Sequence, residues 1–156
     1  MTEENILGII PNVRGGLLGS KAYNLIVTNE GIIVAQLTNK MIKEEARKTT
    51  KDSKERGDGV LKRIGNQMAS RAVYHERYYT MEKDQIINET DGNYFISEPE
   101  IKKIRITVGQ NYENEKSTPH KLKIGWNSGK EKFSFNQITI NEAKNILKKL
   151  AGKKVR

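Results

Sequence analysis

His75 and His120 are the only imidazoles in this chain of 156 residues, and they are far apart, in neither HxxxH nor HExxH spacing. A metal-bound water or a general base needs partner groups at fixed spacing, and none accompanies either ring. Cysteine is absent, which removes thiolate metal sites, iron–sulfur ligation, disulfides and cysteine nucleophiles. There is no G-x-S-x-G elbow and no paired-carboxylate motif. Arg14-Gly15-Gly16-Leu17-Leu18-Gly19-Ser20-Lys21 invites comparison with a phosphate loop. Gly15 and Gly19 stand too close together for G-x-x-x-x-G-K-[ST], however, and Ala22 occupies the place of the magnesium-binding hydroxyl. The segment therefore reads as a loop between strands. No catalytic residue, metal ligand or cofactor site is predicted.

What remains is electrostatic chemistry. Lys and Arg number 28 against 19 Asp and Glu, a net charge of +9. Eleven basic and six acidic residues fall in 40–81, six basic and one acidic in 141–156, and the rest of the chain sums to −1. An excess concentrated in two segments predicts one or two positive faces. The competing reading is that the lysines only keep the domain dissolved. The candidate binding surface is Arg14 and Lys21, which flank the glycine-rich loop, with Lys43, Arg47, Lys48, Lys51, Lys62 and Arg63 in the middle segment.

The elements that must position these cations begin with strands. Asn5–Pro11 is a short apolar run, Ala22–Thr28 alternates with Tyr23, Leu25 and Val27 on one face, and Ile33, Ala35 and Leu37 continue after Asn29-Glu30-Gly31. That tripeptide predicts a tight turn, because Asn and Gly tolerate positive φ. Over 40–81 the period becomes helical. Met41, Ile42, Ala46 and Thr49 lead to a break at Glu55-Arg56-Gly57-Asp58-Gly59, and Leu61, Ile64, Met68 and Ala72 follow it. This predicts a basic helical hairpin inserted after the third strand. It has little apolar content between Arg47 and Gly59, and its tyrosines at 74, 78 and 79 either anchor it to a core, the use expected of them, or present a sticky surface.

A short helix is predicted over Glu82–Glu89, and strands return at Tyr94–Ile96, at Ile104, Ile106 and Val108, at Leu122, Ile124 and Trp126, and at Phe133 and Phe135. Trp126 is read as core. Ile101 lies out of phase, as a bulge requires, and 110–119 is a polar loop. Thr139-Ile140-Asn141-Glu142 forms a capping box ahead of Ala143, Ile146, Leu147 and Leu150, the stripe of a terminal amphipathic helix.

This order of elements resembles the pleckstrin-homology-like (PH-like or GRAM-like) domains of bacteria and archaea. Three phrases carry the resemblance: Tyr23-Asn24-Leu25-Ile26-Val27-Thr28-Asn29-Glu30-Gly31-Ile32-Ile33, Glu98-Pro99-Glu100-Ile101-Lys102-Lys103-Ile104-Arg105-Ile106, and Lys123-Ile124 through Phe135 to Glu142-Ala143. It covers nearly the whole chain apart from 40–81. It implies an α+β, mainly β fold: a partly open seven-stranded antiparallel barrel capped by a C-terminal amphipathic helix, in one domain over 1–156. That family binds phosphorylated headgroups with a fuller cluster of Lys and Arg beside its first hairpin than Arg14 and Lys21 supply.

The function expected is that of a non-catalytic binding module presenting basic surfaces to a protein or an anionic membrane. Nucleic-acid binding through the basic hairpin is the alternative, and self-association through the hairpin is a further partner class. The acidic start MTEENILGII and the lack of a long apolar run predict no signal peptide and no transmembrane segment. The absence of cysteine predicts a cytoplasmic address, at most peripheral at the membrane.

Overall fold

β-branched and leucine residues crowd the first stretch of the chain, apolar residues alternate with lysine in the last, and both become sheet. The computed structural model describes residues 5–16, 19–45, 47, 74–109 and 119–156. Its strands are β1 (Ile6–Gly15), β2 (Lys21–Thr28), β3 (Gly31–Leu37), β4 (Tyr94–Ser97), β5 (Ile101–Thr107), β6 (His120–Trp126) and β7 (Gly129–Phe135). They form one antiparallel sheet in the order β4-β3-β2-β1-β7-β6-β5. Helix α1 covers 39–45, a 3-10 helix follows at Tyr74–Thr80, and α2 (Lys83–Asn88) precedes β4. The terminal helix α3 spans Ile140–Ala151. Residues 48–73 of the expected hairpin and 110–118 of the expected loop lie outside the described residues. The end of the second arm, 74–80, is a 3-10 helix in which Tyr74 and Tyr78 are buried and Tyr79 is 55% exposed, so only the first two rings anchor it.

Two cores form, one on each face of the β1–β3 part of the sheet. The inner one joins Ile10, Val13, Tyr23, Leu25, Val27, Ile32 and Val34 to Ile104, Leu122, Ile124, Phe133 and Phe135, and α3 covers them with Ala143, Leu147 and Ala151. Ile146 and Leu150, the other members of the predicted stripe, are partly buried against the same cluster. The outer core sets Ile9, Ala22, Ile26, Ile33, Ala35 and Leu37 against Ile42 of α1, Tyr74, Tyr78 and Ile86 of α2. The described ends of the segment between β3 and β4 are thus folded against the sheet. This explains why β2 is buried on both faces from Ala22 to Thr28, where alternation alone assigned one apolar face: with helices on one side and the inner core on the other, both sets of side chains leave water.

β1 runs four residues past Pro11, where the sequence ended it. The register with β2 shifts between Ile10 and Val13, so Pro11 sits in a bulge that needs no ladder donor from it. Asn12 takes a positive φ of 50° there, and its backbone N–H donates to the buried Asn24 side chain at 2.8 Å. The β2–β3 turn differs from expectation in the same respect. Neither Asn29 nor Gly31 has positive φ; instead the Thr28 hydroxyl accepts from the backbone N–H groups of Glu30 and Gly31. Gly31 is needed for another reason, since a Cβ there would lie 2.2 Å from the Ile96 carbonyl oxygen on β4. Ile101 does mark a bulge, with a register shift to Lys103. Val108 falls beyond the end of β5 and is 64% exposed. The Thr139 hydroxyl caps α3 by accepting from Glu142 N–H at 3.1 Å.

The outer core contains a polar knot. Tyr78 donates to Glu89 Oε1 at 2.8 Å, Arg77 pairs with the other carboxylate oxygen at 3.3 Å, and Arg77 also donates to the Tyr74 hydroxyl. Burial, reinforced by the Glu89 charge, pushes the Tyr74 phenol up to about 12. The same causes raise Tyr78 further, and burial with the charge of Glu131 raises Tyr94. Unfolded, each phenol releases its proton near 10; folded, it retains it. The stability these groups contribute is therefore complete below pH 10 and is lost as pH climbs toward 12 and beyond. In an alkaline titration, tyrosinate absorbance of the buried phenols is expected to rise together with loss of the sheet's circular dichroism. Ionisation of those phenols with the sheet signal intact would contradict this.

Candidate functional site: a basic sheet face

In β5, β6 and β7 the side chains alternate between core and solvent. Ile104, Leu122, Ile124, Phe133 and Phe135 point inward. Their neighbours Lys103 and Arg105 on β5, Lys121 and Lys123 on β6, and Lys130 and Lys132 on β7 are all exposed. Pairing brings these six to one surface. Lys103 is opposite Gly125 and Gly125 opposite Lys130; Arg105 is opposite Lys123 and Lys123 opposite Lys132; Thr107 is opposite Lys121 and Lys121 opposite Ser134. Arg14 pairs with Ser134 across the β1–β7 junction and, being exposed, extends the surface to a seventh cation.

The one carboxylate of these three strands, Glu131, falls on the opposite parity. It is half-buried and accepts from the Gly16 backbone N–H at 3.2 Å, and its charge adds to burial, the larger cause, in raising the phenols of Tyr23 and Tyr94. Among the described residues, none of the six cations takes part in an ion pair. Like charges directly opposite each other in a sheet are destabilising. Arg105, Lys123 and Lys132 form an unbroken row of them across three strands, so an anion laid on this face gains attraction and also relieves repulsion.

The cations continue round the β5 edge. Lys102, Lys103, Lys153, Lys154 and Arg156 line a second hollow, of which Lys154 is engaged with Glu98 at 2.8 Å. The edge itself is occupied by the chain's last residues: Val155 bridges to Ile104 in parallel, Arg156 N–H donates to the Ile104 carbonyl at 2.8 Å, and Ile106 N–H donates to the Arg156 carbonyl at 3.0 Å.

Of the residues chosen from sequence, Arg14 joins this face. Lys21, exposed at the start of β2, pairs with Gly15 at the neighbouring end of β1. Lys43 and Arg47 are exposed and helical, and the helix carrying Lys43 lies over the outer core through Ile42. Lys48, Lys51, Lys62 and Arg63 lie outside the described residues. The six strand cations were not singled out, although the signal was available: they are the alternate positions to the very residues read as core.

Among the described residues the histidines are not brought together with other ligating groups. His120 Nδ1 accepts from Gly109 N–H at 2.9 Å, and its ring lies 5.4 Å from that of Phe135. His75 is half-buried in the 3-10 helix. Among the described residues no three His, Asp or Glu side chains gather as metal ligands. Trp126 packs on the inner core beside Tyr94, 6.1 Å between ring centroids, and donates to Ser128. Among the described residues no helix is long and apolar enough to cross a membrane. No family model, curated protein or solved structure matches this chain.

Proposed function

We propose that this protein is a non-catalytic binding module on a PH-like scaffold, and that it docks its β5–β7 face on an anionic membrane surface. The scaffold reading is supported by seven antiparallel strands in the order given, with a terminal helix over the inner core and a long connection after β3. The single observation behind the docking is the array of six outward cations with no carboxylate among them. A sheet presents such charges in a plane, with strands about 4.8 Å apart and side chains of one face about 6.6 Å apart along each strand. A layer of headgroups is the matching counter-surface. Among the described residues the face offers no aromatic ring on which a base could stack and no helix to enter a groove, which is why nucleic acid ranks second.

Near an anionic leaflet each Lys or Arg contributes about 1 kcal/mol, and that attraction decays within a Debye length of about 8 Å at physiological salt and about 3 Å at 1 M. Co-sedimentation with vesicles containing phosphatidylserine is therefore expected at low salt, lost on raising salt, and absent with neutral phosphatidylcholine. Equal capture by neutral and anionic vesicles, or preferential capture by a DNA duplex at matched phosphate, would overturn the assignment.

A further inference from the structure

Gly125 occupies the middle of the basic face, and neither of the usual reasons for a strand glycine applies to it. Its φ is not positive. A Cβ built on it would meet only the Lys103 carbonyl oxygen, at 3.9 Å, an ordinary contact. A β-branched residue would serve the strand better on propensity, since glycine inside a strand costs backbone entropy and often marks a place where a ligand comes close.

What the missing side chain leaves is a hollow of about 160 Å³, walled by Lys103, Arg105, Lys123 and Lys130. At ~30 Å³ per water this is room for about five waters, or for one phosphate group with a water or two. Lys103 and Lys130 flank Gly125 across the two adjacent strands, while Lys123 precedes it by two residues and has Arg105 opposite. Three ammonium groups supply compact charge and one guanidinium supplies a planar fork of donors, the combination that suits tetrahedral oxyanions. A doubly charged anion relieves more of the repulsion among four gathered cations than a singly charged one does.

We propose that the hollow over Gly125 is a phosphate subsite, taking a phosphate dianion such as the end of a phosphomonoester or one end of pyrophosphate. It lies inside the docking face and rests on that assignment for a lipid-borne source of the group; a soluble phosphate is the other source.

Gly125→Val separates shape from charge, because it fills the hollow and removes no cation. Pyrophosphate titrated at constant ionic strength, followed by backbone amide shifts of residues 103, 105, 123, 125 and 130, is expected to bind the parent protein and to bind Gly125→Val about tenfold more weakly, a difference of 1.4 kcal/mol. The parent is expected to prefer vesicles of phosphatidic acid, a monoester, over phosphatidylserine, a diester, at equal surface charge. Gly125→Val is expected to lose that preference while still sedimenting with both. Lys130→Met, an exposed change in the same wall, is a second probe should the valine perturb the strand, and is expected to weaken pyrophosphate binding as well. If both variants bind pyrophosphate as the parent does, the subsite is refuted, even with vesicle docking intact. If the parent ignores vesicles yet binds pyrophosphate in a Gly125-dependent way, the subsite stands with a soluble ligand and the membrane assignment falls.

Discussion

The Leu147→Asp variant is expected to lose at least about 5 kcal/mol of stability, as much as many domains of this size possess. Leu147 is fully buried on α3, one turn from the equally buried Ala143 and one turn from Ala151. It helps to cover Leu122, Ile124, Phe133 and their neighbours. Removing its side chain from the core forfeits about 1.5–3 kcal/mol of apolar burial. A carboxyl put in its place has no partner among these apolar side chains, and burying it costs several kcal/mol more whether it ionises or holds its proton. For a chain of this length, that corresponds to a fall of about 10–20 °C in the thermal midpoint. Asn145→Asp is the control: that residue is exposed in the middle of the same helix, and the change should alter stability by no more than about 0.5 kcal/mol. A Leu147→Asp midpoint close to that of the control would show that α3 does not close the inner core.

Reversing Arg105 and Lys123 together to Glu is expected to abolish capture by anionic vesicles without harming the fold. Two cations are lost and two anions gained. At about 1 kcal/mol per charge near the surface this weakens binding by roughly 4 kcal/mol, on the order of a thousandfold. Stability should stay level or rise slightly, because Lys123 sits directly between Arg105 and Lys132. In the double variant the 123–132 pair becomes opposite-charged, a gain of about 0.2–1 kcal/mol, while 105 and 123 still face each other as like charges, as they do in the parent. Binding and stability moving in opposite directions is the signature of a face shaped by its ligand. Vesicle capture by the double variant at the parent level would remove the face from consideration.

Much of the frame was legible because the second half of the sheet alternates cleanly. Ile104, Leu122, Ile124, Phe133 and Phe135 all fall where period two puts them, the Ile101 bulge shows as a phase slip, and the Thr139 cap shows as a motif. The rest needed tertiary information. Tyr23, Leu25 and Val27 predict one buried face of β2, but the burial of Ala22, Asn24 and Ile26 depends on helices from a distant stretch packing against the sheet. Neither Asn29 nor Gly31 takes a positive φ, whereas Asn12 does, because the turn-type pair Pro11-Asn12 sits in a bulge fixed by pairing with β2 and not between strands. The basic face was missed for a simple reason. A count along the chain mixes both parities and the connecting segments, so the lysines of β5–β7 cancel against Glu98 and Glu100, which precede β5, and against Glu131, which falls on the opposite parity. Counting by parity would have exposed them.

The tail that bridges Val155 to Ile104 has a bearing on colloidal behaviour. An open sheet ends in two strands whose outer N–H and C=O groups invite the strands of other molecules, the usual start of ordered aggregation. Here β5, the longer of the two end strands at seven residues, spends part of that hydrogen-bonding capacity on Arg156. The other end strand, β4, has four residues and runs directly into Glu98-Pro99, too short a template to recruit a neighbour, with a proline beside it that cannot extend a ladder. The lysines on the face next to β5 add mutual repulsion between copies. Both ends of a sheet rich in isoleucine are thereby poor templates for a neighbouring strand.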